Sequence, residues 1–550
     1  MSQDWWRGAV VYQIYPRSYQ DDNGDGVGDL QGITRRLPHI AELGADAIWL
    51  SPIFTSPMKD MGYDVSDYKD IDPQFGTLAD FDALIEAAHD LGLKVIVDQV
   101  ISHSSNEHPF FKESRSSRDN KYADWYVWAD CKPDGTPPNN WQSIFGGSAW
   151  QWDTGRKQYY LHNFLKEQPD FNFHNPDVQD YMLDVMRFWL DRGLDGFRLD
   201  TVNFYFHDAK LRDQPKVHEP FYSNAWKPYD MQDPIYSKNQ PENIAWLERM
   251  RALTDEYEGR TMVGEVGETV YALQMMEEYT TGNRLHMAYS FNMLGYDFNA
   301  EHFRKQIEGF FEGAPEGWPS WSFSNHDVVR HVGRWTKHGV DQDSIAKLAI
   351  GMLSSFEGTV GIYQGEELGQ TDTEMEYHEL TDPQGLEFWP VDKGRDGCRT
   401  PMVWEAGHAN AGFTDGTPWL PVKDAQAARA VSSQVIHNDS VLNHYKGVLA
   451  YRKSKPVLRK GKTRFIDLPE PILAFHRVDG DQAITCVFNL SPDPIALKVS
   501  GKTGTVGLCT AAELNASALT LGGNGFVYLE TDAAALPNIS MADAKEKALA

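Results

Sequence analysis

Four acidic side chains stand at the ends of short apolar runs: Asp98 in Lys94-Val-Ile-Val-Asp98, Asp200 in Gly196-Phe-Arg-Leu-Asp200, Glu265 in Val263-Gly-Glu-Val-Gly267, and Asp327 in Ser324-Asn-His-Asp327. One acid at a strand end is commonly a turn or helix cap. Several gathered at one place repel each other, an arrangement that persists when they do work or meet counterions. Arg198 lies two residues before Asp200, and residues two apart on a strand share a face. A guanidinium there favours the ionised carboxylate, the state a nucleophile requires. Glu265 is flanked by glycines, which leave space around its carboxyl. Two carboxyls facing each other fit glycoside hydrolysis. At roughly 5–5.5 Å one attacks as nucleophile, and at roughly 6.5–9.5 Å the pair admits an attacking water. Sequence spacing leaves that gap open. His326 stands beside Asp327, and His103 beyond Asp98 is a candidate hydroxyl donor.

These residues need a scaffold that brings strand ends together. Eight β-rich runs occur in order: Val10–Tyr15, Ala47–Leu50, Lys94–Val100, Gly196–Val202, Thr261–Val266, Met287–Asn292, Trp321–Asn325 and Gly358–Tyr363. Helical apolar spacing appears between them at Ile33–Leu43, Leu78–Leu91, Val178–Leu190 and Ile345–Ser355. Strand and helix in alternation give an α/β chain whose eight strands suggest a parallel (β/α)8 TIM barrel, although periodicity alone also admits a doubly wound sheet. In a barrel, acids at strand C-termini face one catalytic mouth. Residues 104–172 lack long helices and are crowded with aromatics, Pro and Gly, so they read as a subdomain inserted after strand 3. The barrel then covers 1–103 and 173–456. From 457 to 550 helices vanish, and Ile472–Val478, Ala483–Leu490, Ile495–Val499 and Phe526–Glu530 read as an antiparallel β-domain. The last dozen residues, ending ADAKEKALA, read as a helix or a loose tail.

Composition removes several function classes. The 550 residues carry 51 basic and 79 acidic side chains, a formal charge of −28. Such a surface repels phosphate backbones and anionic lipids, so neither nucleic acid nor membrane is an expected partner, while a neutral small molecule is compatible. No stretch of apolar residues is long enough to span a bilayer, and the N-terminal run is too short for a secretory signal. Cys131, Cys398, Cys486 and Cys509 are scattered without a framework, which suits free thiols in a reducing, cytoplasmic setting. Asn538-Ile-Ser540 is then a chance sequon.

Asp21, Asn23, Asp25, the Val27 carbonyl and Asp29 offer oxygens at alternate positions of one short loop. This copies the first part of a calcium loop, but position twelve is Gly32 rather than a bidentate Glu.

Taken in order, Asp98 to His103, Gly196–Asp200, Glu265 and Asn325–Asp327 resemble the signatures of glycoside hydrolase family 13, the α-amylase family. Gln168-Pro-Asp-Phe-Asn172 is similar to a further signature near the end of its inserted subdomain. The resemblance covers essentially the whole chain. It implies that Asp200 is the nucleophile and Glu265 the general acid/base of a retaining enzyme, that Asp327 stabilises the distorted sugar, and that Arg198, His103 and His326 hold the glucose. The Asp21–Asp29 loop resembles the structural Ca2+ or Mg2+ site of the α-glucosidase and oligo-1,6-glucosidase branch. Gly62-Tyr-Asp64 and Gly394-Arg-Asp396 also resemble that branch. They imply that Asp64 and Arg395 close the pocket behind the non-reducing end, that Tyr63 stacks on the sugar, and that Phe145 and Phe164 form apolar walls. Thr201 follows the nucleophile where threonine resembles α-1,4 enzymes and valine α-1,6 enzymes; read on strand alternation, it acts from the opposite face through packing or the adjoining loop. The implied function is an exo-α-glucosidase for maltose and other short α-glucosides, passing glucose also to alcohol or sugar acceptors. A sucrose-acting or α-1,6-acting relative is the near alternative. A non-catalytic trafficking member is remote, since such chains carry a membrane span and have lost catalytic acids.

Overall fold

The computed structural model describes residues 4–542. Eight strands form one parallel sheet: β1 (Val10–Ile14), β2 (Ala47–Leu50), β3 (Lys94–Gln99), β4 (Gly196–Leu199), β5 (Thr261–Val266), β6 (Met287–Ser290), β7 (Ser320–Ser322) and β8 (Thr359–Tyr363). Their order is β6-β5-β4-β3-β2-β1-β8-β7, and a parallel bridge between Ala288 and Pro319 joins the two ends into a barrel. The (β/α)8 reading therefore holds over the doubly wound one. Nearly every strand residue is buried, as expected where both faces of a parallel sheet are covered.

Each strand is followed by a helix: α1 (Leu30–Leu43), α2 (Leu78–Asp90), α3 (Pro176–Asp191), α4 (Asn243–Thr254), α5 (Ala272–Thr280), α6 (Ala300–Gly313), α7 (Gln342–Leu353) and α8 (Val441–Ser454). Local chemistry sets their ends. Asp29 accepts from the Gly32 N–H to cap α1, and Gly44 at φ 102° ends it in the left-handed region. Thr77 and Asp80 form a reciprocal capping box on α2. Leu30, Ile33, Leu37, Ile40 and Leu43 recur at helical spacing and are all buried against the barrel.

Between β3 and α3 the chain makes the helix Pro109–Ser116 and a three-stranded antiparallel sheet, in the order Trp128–Ala129, Gln158–Leu161, Trp150–Asp153. A bridge between His103 and Asp170 returns it to the barrel mouth. Two further excursions, after β4 and after β8, also leave the mouth before their helices begin; the sequence pattern did not distinguish them.

The C-terminal domain is an antiparallel sheet of seven strands, including Lys462–Phe465, Thr505–Asn515 and Asn538–Met541, three not predicted from the sequence. These are mostly half-exposed edge segments, so they lack an apolar run. The strand at Asn538 replaces the expected tail as far as Met541, and residues 543–550 of that segment lie outside the described residues. Along Ala518–Asp532 the faces alternate. Phe526 and Tyr528 join the barrel core through α7, whereas Val527 and Leu529 join a separate core within the domain.

Arg452 fastens α8 to the base of the barrel. It is 1% exposed and donates to the carbonyls of Ser354, Leu458, Gly8 and Gly358 at 2.6–3.1 Å. A hydrophobic replacement orphans four buried acceptors. We expect Arg452→Met to lower unfolding free energy by about 3 kcal/mol in denaturant titration. A loss under about 1 kcal/mol would show that the barrel base does not depend on it.

Candidate active site

Parallel register places Asp98 beside Arg198 on neighbouring strands. Arg198 is fully buried beneath the mouth and distributes its guanidinium among three carboxylates. Nη1 donates to Asp98 Oδ1 and to Asp200 Oδ1, both at 2.7 Å, and Nη2 reaches Glu265 Oε2 at 2.6 Å. Nε and Nη2 also donate to the Tyr289 hydroxyl at 3.1 and 2.9 Å. Trp49 and Tyr63 lie within cation–π distance of the same group. Arg198 and Asp200 meet as their spacing predicts, and Glu265 shares the same guanidinium.

One positive charge does not neutralise three negative ones in a dry site. Burial pushes Asp200 up to about 7 despite the opposing pull of Arg198, and the charge of Asp98 adds to the rise. Burial pushes Glu265 further, to about 8, again against Arg198 and with the charge of Asp200 adding. Near neutral pH the cluster therefore holds about one proton more than free carboxylates would. Asp327 differs. Burial alone would raise it, but His326, Arg395 and Arg399 overcome that and hold it well below the usual range. Arg395 Nη1 and Arg399 Nη2 reach its Oδ1 at 3.2 and 3.0 Å.

A pocket of about 350 Å³ opens onto Asp200, Glu265 and Asp327. Tyr63, His103, Phe145, Phe164, Thr201 and Arg395 line it with them, so nine of the sequence-selected residues meet there. His103 accepts from Ser102 Oγ at 2.8 Å and donates to the Tyr63 carbonyl at 2.8 Å. Phe145 lies 5.2 Å below the Arg395 guanidinium and 6.1 Å from Phe164. Arg198 and His326 stand behind the pocket wall and contact its carboxylates rather than its space.

Two expectations are corrected. Asp64 does not close the pocket: it is fully buried and accepts from Ser56 Oγ and from the N–H groups of Lys59 and Asp60 at 2.9–3.0 Å. Met61 at φ 51° and Gly62 at φ 107° reverse the chain, turning Asp64 into the loop and leaving Asp60 on the pocket. Arg395 pairs with Asp60 at 2.9 Å and with Asp382 at 2.7 Å. Thr201 does not act from an opposite face either. β4 ends at Leu199, so strand alternation no longer applies, and Thr201 sits at φ 39°. That left-handed conformation costs a β-branched residue on the order of 1–3 kcal/mol. It lets the Thr201 N–H donate to Glu265 Oε2 at 3.0 Å and the Oγ1 hydroxyl donate to Asp200 Oδ2 at 3.3 Å.

The outer wall was not found from sequence. Phe204, Lys227, Tyr229 and Lys238 come from the excursion after β4, and Glu268 follows β5. Lys238 is paired with Glu268 at 3.2 Å and lies 5.2 Å from the Phe204 ring. The segment around Lys238 has no glycine, no motif and no apolar period to mark it.

In the Asp21–Asp29 loop the side chains of Asp21, Asn23, Asp25 and Asp29 all accept hydrogen bonds from backbone N–H groups of the chain itself. Asp21 takes the Gly24 and Gly26 N–H groups at 2.7 and 2.8 Å, and Asp29 takes those of Asp22, Asn23 and Gly32. Asn23 and Asp25 accept from Asp25 and Val27 at 2.9 Å. Among the described residues no three or more His, Cys, Asp or Glu side chains converge as a metal cluster. The oxygen donors suit a hard cation, but the carboxylates are arranged as a turn and not around a common centre.

A (β/α)8 barrel whose mouth gathers carboxylates around a pocket of this size has the parts glycoside hydrolysis requires. The chain belongs to the α-amylase family, glycoside hydrolase family 13: residues 13–461 match the family model for the alpha amylase catalytic domain. It is 57% identical over 497 residues to a "Probable alpha-glucosidase" of Rhizobium meliloti (strain 1021), covering 89% of this chain and 90% of that one. It is 37% identical over 530 residues to an "Oligo-1,6-glucosidase" of Heyndrickxia coagulans, covering 90% and 93%. Among solved structures, the alpha-glucosyl transfer enzyme XgtA superposes with TM-score 0.91 at 50% identity, covering 96% of this chain and 99% of that one. No helix among the described residues is long and apolar enough to cross a membrane.

The crowding of charge has a measurable cost. Because the folded-state pKa of Glu265 is raised, its contribution to stability is present at acid pH and is lost as pH climbs through about 8. Glu265→Gln removes that loss. Its melting temperature relative to wild type should rise by a few degrees between about pH 5 and about pH 8 and then level off. A difference independent of pH would contradict the shared-proton description.

Proposed function

We propose that this chain is a retaining exo-α-glucosidase that releases α-glucose from the non-reducing end of short α-1,4-linked glucosides such as maltose. The observation that carries the reading is the Arg198 fork holding one oxygen of Asp200 and one of Glu265. Carboxyls bridged by one guanidinium favour the short separation of double displacement over the wider, water-admitting one. Protonated Glu265 gives its proton to the glycosidic oxygen while ionised Asp200 attacks the anomeric carbon. The C–O bond to the aglycone breaks and a glucosyl-Asp200 ester forms. Glu265, now a carboxylate, takes a proton from water or an acceptor hydroxyl, whose oxygen displaces Asp200. Asp327, kept ionised by its two arginines, binds the hydroxyls of the distorted ring. The Tyr63 ring supplies a stacking face.

The pocket is closed behind the sugar by Asp60, Arg395 and Asp382, which supports attack on a chain end. Thr201 beside both carboxyls supports the α-1,4 preference, because a valine there would remove the hydroxyl contact to Asp200. Transfer to alcohol or sugar acceptors competes with hydrolysis at the glucosyl-enzyme; the likeness to a named glucosyl transfer enzyme supports this. The four free cysteines suit a cytoplasmic setting. The acidic charge suits neutral sugars rather than nucleic acid or membranes.

Asp200→Asn should lower turnover of maltose at least about a thousandfold while far-UV circular dichroism stays unchanged, and proton NMR of fresh wild-type cleavage should show α-glucose first. An initial β-signal, or substantial turnover by the variant, would overturn the reading. Rates on maltose, isomaltose, sucrose and maltotriose should rank maltose first; isomaltose or sucrose in first place would assign the linkage to the α-1,6 or sucrose alternative.

We also propose that the Asp21–Asp29 loop closes around a structural Ca2+ or Mg2+ ion, on the strength of its five alternating oxygens and its place before α1. Chelation should then lower the melting temperature, with metal found by elemental analysis. An unchanged melt without bound metal would leave the loop as the hydrogen-bonded turn described above.

A further inference from the structure

Gln13, on β1, is 2% exposed and takes no part in the chemistry above. Its Nε2 lies 2.7 Å from His326 Nδ1 and donates to Ser51 Oγ at 3.1 Å. Its Oε1 is buried without a protein partner. The side chain borders an enclosed space of about 20 Å³ inside the barrel, shared with Trp49, Tyr289, Ser322, Ser324 and Gly361. Such a volume takes roughly one water. A β-carbon at position 361 would come within 2.1 Å of Ser322 Oγ, so glycine there keeps this space open.

An amide nitrogen only donates, so Nδ1 of His326 accepts and the ring hydrogen sits on Nε2. That nitrogen faces the Tyr63 hydroxyl at 2.6 Å and Asp327 Oδ2 at 3.2 Å. Tyr63 can then donate to Asp98 Oδ2 at 2.9 Å, and Asp98 Oδ1 accepts from Arg198 at 2.7 Å. Reversed, the amide would put the ring hydrogen on Nδ1 and turn a lone pair toward the Asp327 carboxylate. The hydrogen-bond polarity of the catalytic wall thus begins at one amide.

We propose that Gln13 is a positioning residue: with its Oε1 held by a water in the barrel interior, its amide fixes the His326 tautomer that presents an N–H to Tyr63 and Asp327. The inference rests on the proposed roles of Asp200, Glu265 and Asp327 for its kinetic consequence, but not for the hydrogen-bond order itself. Burial keeps His326 neutral, so the ring has a single hydrogen to place. The groups facing it are the rings of Tyr15, Trp49 and Tyr63, the Asp327 carboxylate, and the cations Arg198, Arg395 and Arg399.

Neutron or atomic-resolution X-ray diffraction of the wild-type protein tests the order directly. The expected result is a water about 2.7–3.2 Å from Gln13 Oε1 and deuterium on His326 Nε2. A reversed amide, or deuterium on Nδ1, overturns the proposal. Kinetics give the second arm. Gln13→Met, similar in size but without the donor, should lower kcat/KM by about ten- to hundredfold. Gln13→Glu, isosteric, should add to the kcat/KM pH profile an ionisation that wild type lacks. Folded variants with wild-type kcat/KM and pH profile would refute the positioning role, and if Gln13→Met does not fold, the diffraction result and Gln13→Glu decide. Should Asp200→Asn stay active, the catalytic reading fails while the diffraction arm still judges Gln13.

Discussion

The site depends on one buried guanidinium. Arg198 carries the only cation in direct contact with Asp98, Asp200 and Glu265 among the described interactions, and it has no solvent to share the load. A fully paired cluster would be electrostatically quiet and catalytically idle. An unpaired one would lose its charges to protons. Three carboxylates on one arginine fall between these limits and retain a proton near neutral pH. Asp327, with Arg395 and Arg399 of its own, is kept out of that competition.

The barrel makes this arrangement possible. Neighbouring parallel strands end at one level, so Asp98 and Arg198 pair by register rather than by a flexible loop. Burial by the strands below and the excursions above removes the water that would otherwise screen the cluster. The same excursions give the pocket its shape: the insertion contributes Phe145 and Phe164, the segment after β4 contributes Phe204 and Lys238, and the segment after β8 contributes Arg395. Rigid strands set the chemistry while loops set what fits. Thr201 lies at the junction, and its left-handed backbone is the local strain that lets a strand-end peptide donate to Glu265.

All eight barrel strands were legible because each is a short apolar run, with helical patterns between several of them. Asp200, Glu265 and Asp327 were legible because their types and order are distinctive. The failures have physical reasons. Asp60 and Asp64 bracket one turn, and which of them faces the sugar is decided by the left-handed residues Met61 and Gly62, a conformation that residue type does not announce for methionine. Thr201 was misplaced because β4 stops at Leu199, earlier than its apolar run suggests. Lys227, Tyr229 and Lys238 belong to an irregular excursion with no periodicity to place them. The C-terminal edge strands were missed because a strand with one wet face and a free edge has little apolar signal.

The central claim is that Asp200, held by Arg198, forms the covalent bond to the sugar. Incubation with 5-fluoro-α-D-glucosyl fluoride, followed by peptic digestion and tandem mass spectrometry, tests it most directly. The account predicts a single glycosyl adduct on the peptide containing Gly196–Asp200, localised to Asp200. An adduct on Glu265, or inhibition without any covalent adduct, would contradict it.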